Sequence, residues 1–147
     1  TVTQGAGFVE PFSAIFIGLV AGFACFAMVT IVKIKLGYDD SLDAFGVHGV
    51  GGLMGCLLTG VFATNSINNT LKLSDGSPAP LGWVDGNAAQ VMNQGVGAAI
   101  GIALAVIGTV IALKVTGLLT PVRMESQEET QGMDVSLHGE EGYVFED

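Results

Sequence analysis

One imidazole, His48, stands in the apolar, glycine-rich run Phe45-Gly46-Val47-His48-Gly49-Val50-Gly51-Gly52. A neutral imidazole donates a hydrogen bond from one ring nitrogen and accepts one at the other. Hydrocarbon tolerates that neutral form better than the charged one. Such a group suits a small hydrogen-bonding solute or a proton relay better than it suits fixing a charge. An ionisable side chain inside a membrane span is costly, and as a rule it faces a bundle interior, a cavity or a pathway. The alternative is a structural histidine bonded to a neighbouring helix, and the residues alone leave the two readings level.

Three acids, Asp39, Asp40 and Asp43, precede the histidine. Their spacing lacks the remainder of a calcium loop. Helix capping is the stronger reading, with Asp40 as N-cap and Asp43 three residues later as the acid of a capping box. One of these acids could also draw cations to a cytoplasmic vestibule. Cys25 and Cys56 lie in apolar runs without metal-type spacing and read as buried thiols. There is no nucleophile elbow, phosphate loop, zinc motif or clustered acid–base pair, which argues against an enzyme and asks for no metal or cofactor.

A second candidate lies near the end, in Gly132-Met133-Asp134-Val135-Ser136-Leu137-His138-Gly139-Glu140-Glu141-Gly142-Tyr143. A disordered acidic extension is the plainer reading. The apolar residues and turn-like glycines favour a docking segment on an inner face. A phosphate on Ser136 would add charge beside Asp134 and Glu140 and release such docking.

What must position His48 is a set of membrane helices. Half of the 147 residues are hydrophobic and 13% are charged, against about 25% charged in soluble domains. The net charge of −9 is concentrated at the end, where residues 124–147 hold eight acids and no Lys or Arg. Nucleic acid is excluded as a partner by the want of a basic patch; a basic protein surface fits better.

Charge-free runs predict helices over about 11–36, 41–63 and 87–116, each near or above the length that crosses a bilayer. Glu10-Pro11 starts the first, with an acid at the positive end of the helix dipole. Lys33, Lys35 and Gly37 end it. Residues 66–86, rich in Gly and Pro, form a loop, and Trp83 suits an interface. The membrane region is thus 1–120 and the acidic tail 121–147. Lys33 and Lys35 mark the end of the first span, and Lys114 and Arg123 mark the end of the third. The positive-inside rule places both ends in the cytoplasm, the 66–86 loop outside and the tail cytoplasmic.

Eight residues from Asp40, His48 falls about 12 Å into its helix, close to mid-membrane. At helical spacing Phe45, Gly51, Gly52 and Gly55 share its face. Small residues recur four apart as Gly18 and Gly22, Gly51 and Gly55, and Gly97 and Gly101. A pair in each span predicts a compact three-helix bundle.

The stretch Asp39-Asp40-Ser41-Leu42-Asp43-Ala44-Phe45-Gly46-Val47-His48-Gly49-Val50-Gly51-Gly52 resembles the DD-x-x-D-x-FGVHG-x-x-G segment of the Amt/Mep/Rh ammonium transporters. The run from Gly132 to Tyr143 resembles that family's cytoplasmic G-[LM]-D-x-x-x-HGE-x-x-Y tail, and Gly5-Ala6-Gly7-Phe8-Val9-Glu10-Pro11 looks like the start of one of its late membrane helices. The resemblance implies an all-α membrane protein of eleven helices, of which this chain supplies the last three with the N-terminus outside. It implies residence in the cell membrane as a homotrimer with one pore per subunit, passing ammonium or ammonia. His48 is then one of two pore histidines, with Ala44 and Phe45 at the pore-side positions before it. In the tail, Asp134, Ser136, His138, Gly139 and Tyr143 become regulatory residues, and a PII-type signalling protein is an implied partner. The first pore histidine and the outer recruitment site lie upstream in that family, so transport calls for the other eight helices. The start at Thr1, without a Met, suggests a piece of a longer polypeptide. An ammonium sensor signalling through its tail and a purely structural membrane subunit are the alternatives.

Overall fold

The structure, a computed structural model, describes residues 2–140 and 142. The chain forms two compact units, Thr1–Ile102 and Ala103–Asp147. The described residues are helical, without a strand beyond an isolated bridge between Lys72 and Pro78. Three helices are long and apolar enough to cross a membrane: Pro11–Leu36, Phe45–Phe62 and Ala89–Gly117. At about 1.5 Å per residue they measure about 39, 27 and 43 Å. The third exceeds a hydrocarbon core of about 30 Å, an excess that tilting accommodates.

The first span begins where Glu10 is extended and Pro11 takes the first helical position. There the missing N–H of proline costs nothing. It ends at Gly37, whose left-handed φ of 63° lets its N–H close on the Lys33 carbonyl at 2.8 Å. Midway, residues Met28–Val32 widen into a π-turn, closed by the Lys33 N–H on the Met28 carbonyl. The Thr30 hydroxyl donates back to the Phe26 carbonyl at 2.7 Å, a bond that competes with the helix ladder and bends it.

The second span starts later than the expected residue 41. Ser41 and Leu42 form a turn, Asp43 is left-handed at φ 55°, and helix begins at Ala44. Its first full turn, Phe45–Gly49, is also a π-turn, closed by the Val50 N–H on the Phe45 carbonyl. The buried residues Gly46, Gly51, Gly55 and Thr59 therefore follow one another by five residues, then four, then four. The wide turn is what brings Gly46 onto the same stripe as the later three.

The second span packs against the first, whose fully buried residues are Ile17 and Ala21, and its Thr59 end packs against the short 3-10 turn Val2–Gly5. Contact is closest at the paired π-turns, where a Cβ built on Gly46 would lie 2.8 Å from Val29 Cγ2. Phe16 meets Phe62 edge-on at 5.5 Å, and the Cys25 thiol points to the Val47 carbonyl at 3.7 Å. Small residues allow this approach, and dispersion contacts hold it.

The compact three-helix bundle predicted from glycine spacing forms only in part. No residue of the third span is buried. Gly18 and Gly22 of the first span are exposed, and built Cβ atoms on Gly22, Gly97 and Gly101 meet nothing within 4 Å. The third span touches the second at its first turns only among these contacts: the Cys56 thiol donates to Gln94 Oε1 at 3.1 Å, and Gly60 lies under Val91 and Gln94. Small residues permit close approach but supply no partner, and no residue of another described element lies within 4 Å of the space a Cβ would fill at Gly97 or Gly101.

Candidate functional site

His48 lies in the π-turn that opens the second span, and it is exposed. It stands about 6 Å from the first helical residue, half the depth inferred when the helix was expected to start at the acids. The shared face read from helical spacing is also corrected. Gly51 and Gly55 are buried, whereas His48 and Phe45 are exposed. An α-helical period of 3.6 cannot be run through a turn with i→i+5 bonds. The turn thus separates two jobs: its small residue Gly46 packs on the first span, and its imidazole is left facing away from that contact.

Phe45, 56% exposed, stands over Gly49, with its ring about 3.0 Å from where a Cβ on that glycine would be. Its other neighbour is Tyr38, edge-on at 6.0 Å and 89°. The Tyr38 hydroxyl is buried without a hydrogen-bond partner among the described residues. Ala44, the first helical residue, is exposed beside Phe45.

The acids before the turn divide their work. Asp40 Oδ2 accepts the Phe45 N–H at 3.0 Å and the Gly46 N–H at 3.3 Å. It caps the helix, but from four residues ahead of Ala44 and not as its immediate neighbour. Asp43 is not the acid of a capping box. Its left-handed backbone puts it outside the helix, and its carboxylate meets Lys33 Nζ at 2.6 Å. Lys33 also donates to the Asp40 carbonyl at 2.5 Å. The Asp43 carbonyl accepts the Val47 N–H at 2.9 Å.

In the second unit the tail is helical over Ser126–Gln131, where the Glu128 carboxylate accepts the Glu125 N–H at 3.3 Å. A further π-turn spans Asp134–His138 and stops at Gly139, left-handed at φ 64°. That conformation, which glycine adopts without strain, explains a glycine at 139. The Ser136 hydroxyl donates to the Gly132 carbonyl at 2.8 Å. Met133, Leu137 and His138 are exposed. Tyr143 lies outside the described residues.

Two features escaped the sequence reading. Asp85 ties the loop: Oδ1 accepts the Thr64 hydroxyl at 2.7 Å, and Oδ2 accepts the N–H groups of Asn65 at 2.7 Å and Leu81 at 3.1 Å. Thr64 Oγ1 in turn accepts the Ser66 N–H at 3.3 Å, and the Ser66 hydroxyl donates to Glu10 Oε1 at 3.0 Å. Burial acts to raise the Asp85 pKa, but these three donors outweigh it and hold the carboxyl below its usual range. The second feature is a cavity of about 360 Å³ at the Thr59 end of the second span, walled by Gln4, Phe8, Asn87, Gln90 and Gln94 among others. His48 is not part of it.

Residues 1–143, which include every site residue named above, match the Ammonium Transporter Family. The chain belongs to that family. It is 41% identical over 142 residues to an ammonium transporter of Bacillus subtilis, covering 97% of this chain and 33% of the relative. It is 38% identical over 144 residues to the ammonium transporter MEP2 of Saccharomyces cerevisiae, covering 97% and 28%. The crystal structure of Saccharomyces cerevisiae Mep2 superposes with a TM-score of 0.66 at 40% identity, over 79% of this chain and 26% of that one. The chain thus spans about a third of the length of the curated relatives it matches. For an ammonium transporter family member with three membrane-length helices, this segment is multi-pass membrane protein, and the relatives carry transporter names, not those of enzymes.

Proposed function

We propose that this chain is the carboxy-terminal, pore-lining part of an ammonium transporter, acting with the membrane helices that make up the rest of its relatives' length. The observation that carries the reading is the match over 1–143 to proteins named ammonium transporters. The FGVHG segment, folded as a π-turn with its imidazole free of the first span, supports it. A neutral His48 offers one donor and one acceptor to ammonia or to a proton leaving ammonium. Phe45 and Ala44, exposed just before His48 in the same segment, are the neighbouring wall in this reading, with Phe45 supplying its apolar part. Ammonium itself crosses a dry route only at high cost, so a route lined by neutral groups favours the uncharged molecule. The lysines at the inner ends of the first and third spans orient the segment with its tail in the cytoplasm. There the acidic tail, with Asp134, Ser136 and His138, is a docking surface for a basic partner. Assembly as a trimer and contact with a PII-type protein belong to the same proposal.

The test is a chimera in which this chain replaces the last third of the Bacillus subtilis relative, in cells lacking their own ammonium uptake. Growth on low ammonium is the expected result. A chimera that reaches the membrane in normal amount yet carries no ammonium would refute the proposal.

A further inference from the structure

We infer that Lys33 is a positioning residue for His48, holding the turn that carries it. The inference rests on the pore role proposed for His48. Lys33 closes the first span and grips the linker to the second at two points, the Asp40 carbonyl at 2.5 Å and the Asp43 carboxylate at 2.6 Å. Both gripped residues bond directly to the π-turn. Asp40 accepts the N–H groups of Phe45 and Gly46, and the Asp43 carbonyl accepts the Val47 N–H. One ammonium group therefore holds both anchors of the residues immediately before His48.

The backbone at Asp43 makes the grip necessary. Its φ of 55° is the sole positive value among the described residues other than glycine. An L-residue visits that region at a cost, Asp and Asn with the least. A conformation of this kind persists when its surroundings over-determine it, and here the Lys33 ion pair does so together with the Asp43 N–H bond to the Asp40 carbonyl at 3.0 Å, whose oxygen Lys33 also grips. Tyr38, between Lys33 and Asp40, adds an edge-on brace against Phe45. On the other side Gly46 is wedged against Val29 of the first span's π-turn. Loss of the lysine frees the linker while leaving the packed stripe below it in place. The imidazole then loses its fixed direction, whereas the two spans stay together.

The experiment is a double-mutant cycle in the full-length polypeptide, reading uptake of labelled methylammonium per transporter at the membrane. Lys33→Met should lower uptake about fivefold, and Lys33→Arg should restore most of it. On a His48→Ala background, Lys33→Met should cost less than about twofold more, because the group it positions is already gone. Asp43→Asn keeps the left-handed preference and removes the charge, so it should reproduce the loss even where Lys33→Met reduces the amount of protein. Full uptake with both Lys33→Met and Asp43→Asn overturns the inference. So does a loss that multiplies fully with that of His48→Ala, since Lys33 would then act elsewhere. If His48→Ala alone leaves uptake unchanged, it is the underlying pore role that fails.

Discussion

The second span and the third carry the same sequence signal and meet opposite fates, and the first span's pair, Gly18 and Gly22, is exposed like the third's. Gly51 and Gly55 are buried, on a helix that packs against both the first span and the Val2–Gly5 turn. Gly97 and Gly101, with the same spacing, face open space on a helix with no buried residue. The difference lies in what surrounds them. Around Gly51 and Gly55, paired π-turns, the Lys33 grip and the Asp85 knot draw two helices and their loops together. Small residues make close approach cheap, but other bonds decide which helix arrives.

Substitutions that crowd the packed region should separate the two most sharply. Gly82→Ala is the most severe: its Cβ would lie 2.5 Å from the Ala63 carbonyl oxygen and 2.9 Å from the Ala63 nitrogen, both backbone. A loss of roughly 3 kcal/mol is expected in thermal unfolding of the detergent-solubilised protein. Asp85→Ala removes the acceptor of three hydrogen bonds and should cost about 2 kcal/mol. The sign of its pH dependence follows from the depressed carboxyl. Its contribution is complete at neutral pH and is lost only as pH falls through a value below the usual carboxylate pKa of about 3.9. Protease protection of the 66–86 loop should accordingly hold from pH 7 to about pH 4 in the parent chain, and be weak throughout in Asp85→Ala.

Smaller effects test the π-turns and the lone span. Gly46→Ala pushes against Val29 and should destabilise by about 1 kcal/mol after the gain in helix propensity is counted. Gly97→Ala has room and should stabilise by about 0.5 kcal/mol. A loss at Gly97 in the full-length polypeptide would instead mark the place where another helix covers this face. Either sign is read in the same unfolding measurement.

Much of this was legible beforehand, because membrane helices announce themselves by the want of charge. The run from Phe12 to Val32 and that from Gly95 to Leu113 hold no charged residue, and each lies in a helix. The start of the second span was misjudged for a physical reason. Asp40 and Asp43 have the spacing of a capping box, but the pairing depends on whether Asp43 is helical. Asp43 is left-handed and pairs with Lys33, ten residues earlier, a pairing that the spacing of the acids does not reveal. The π-turns were hidden because a 3.6-residue period was assumed throughout. Burial of Gly46, Gly51 and Gly55 in steps of five and four is the mark they leave, and it becomes visible only with contacts in hand. Asp85 is one acid in a Gly- and Pro-rich loop, and nothing in its spacing sets it apart. An acid followed by Gly86 just ahead of a span was the available hint, and its three donors come from residues as distant as Thr64.

The central claim is that His48 lines the route of the transported molecule. Methylammonium uptake, with and without competing potassium, should be measured for parent and His48→Ala full-length transporters at matched abundance in the membrane. The account predicts a fall of about tenfold in rate, the worth of one lost hydrogen bond, or a loss of discrimination against potassium. Unchanged rate together with unchanged discrimination would contradict it.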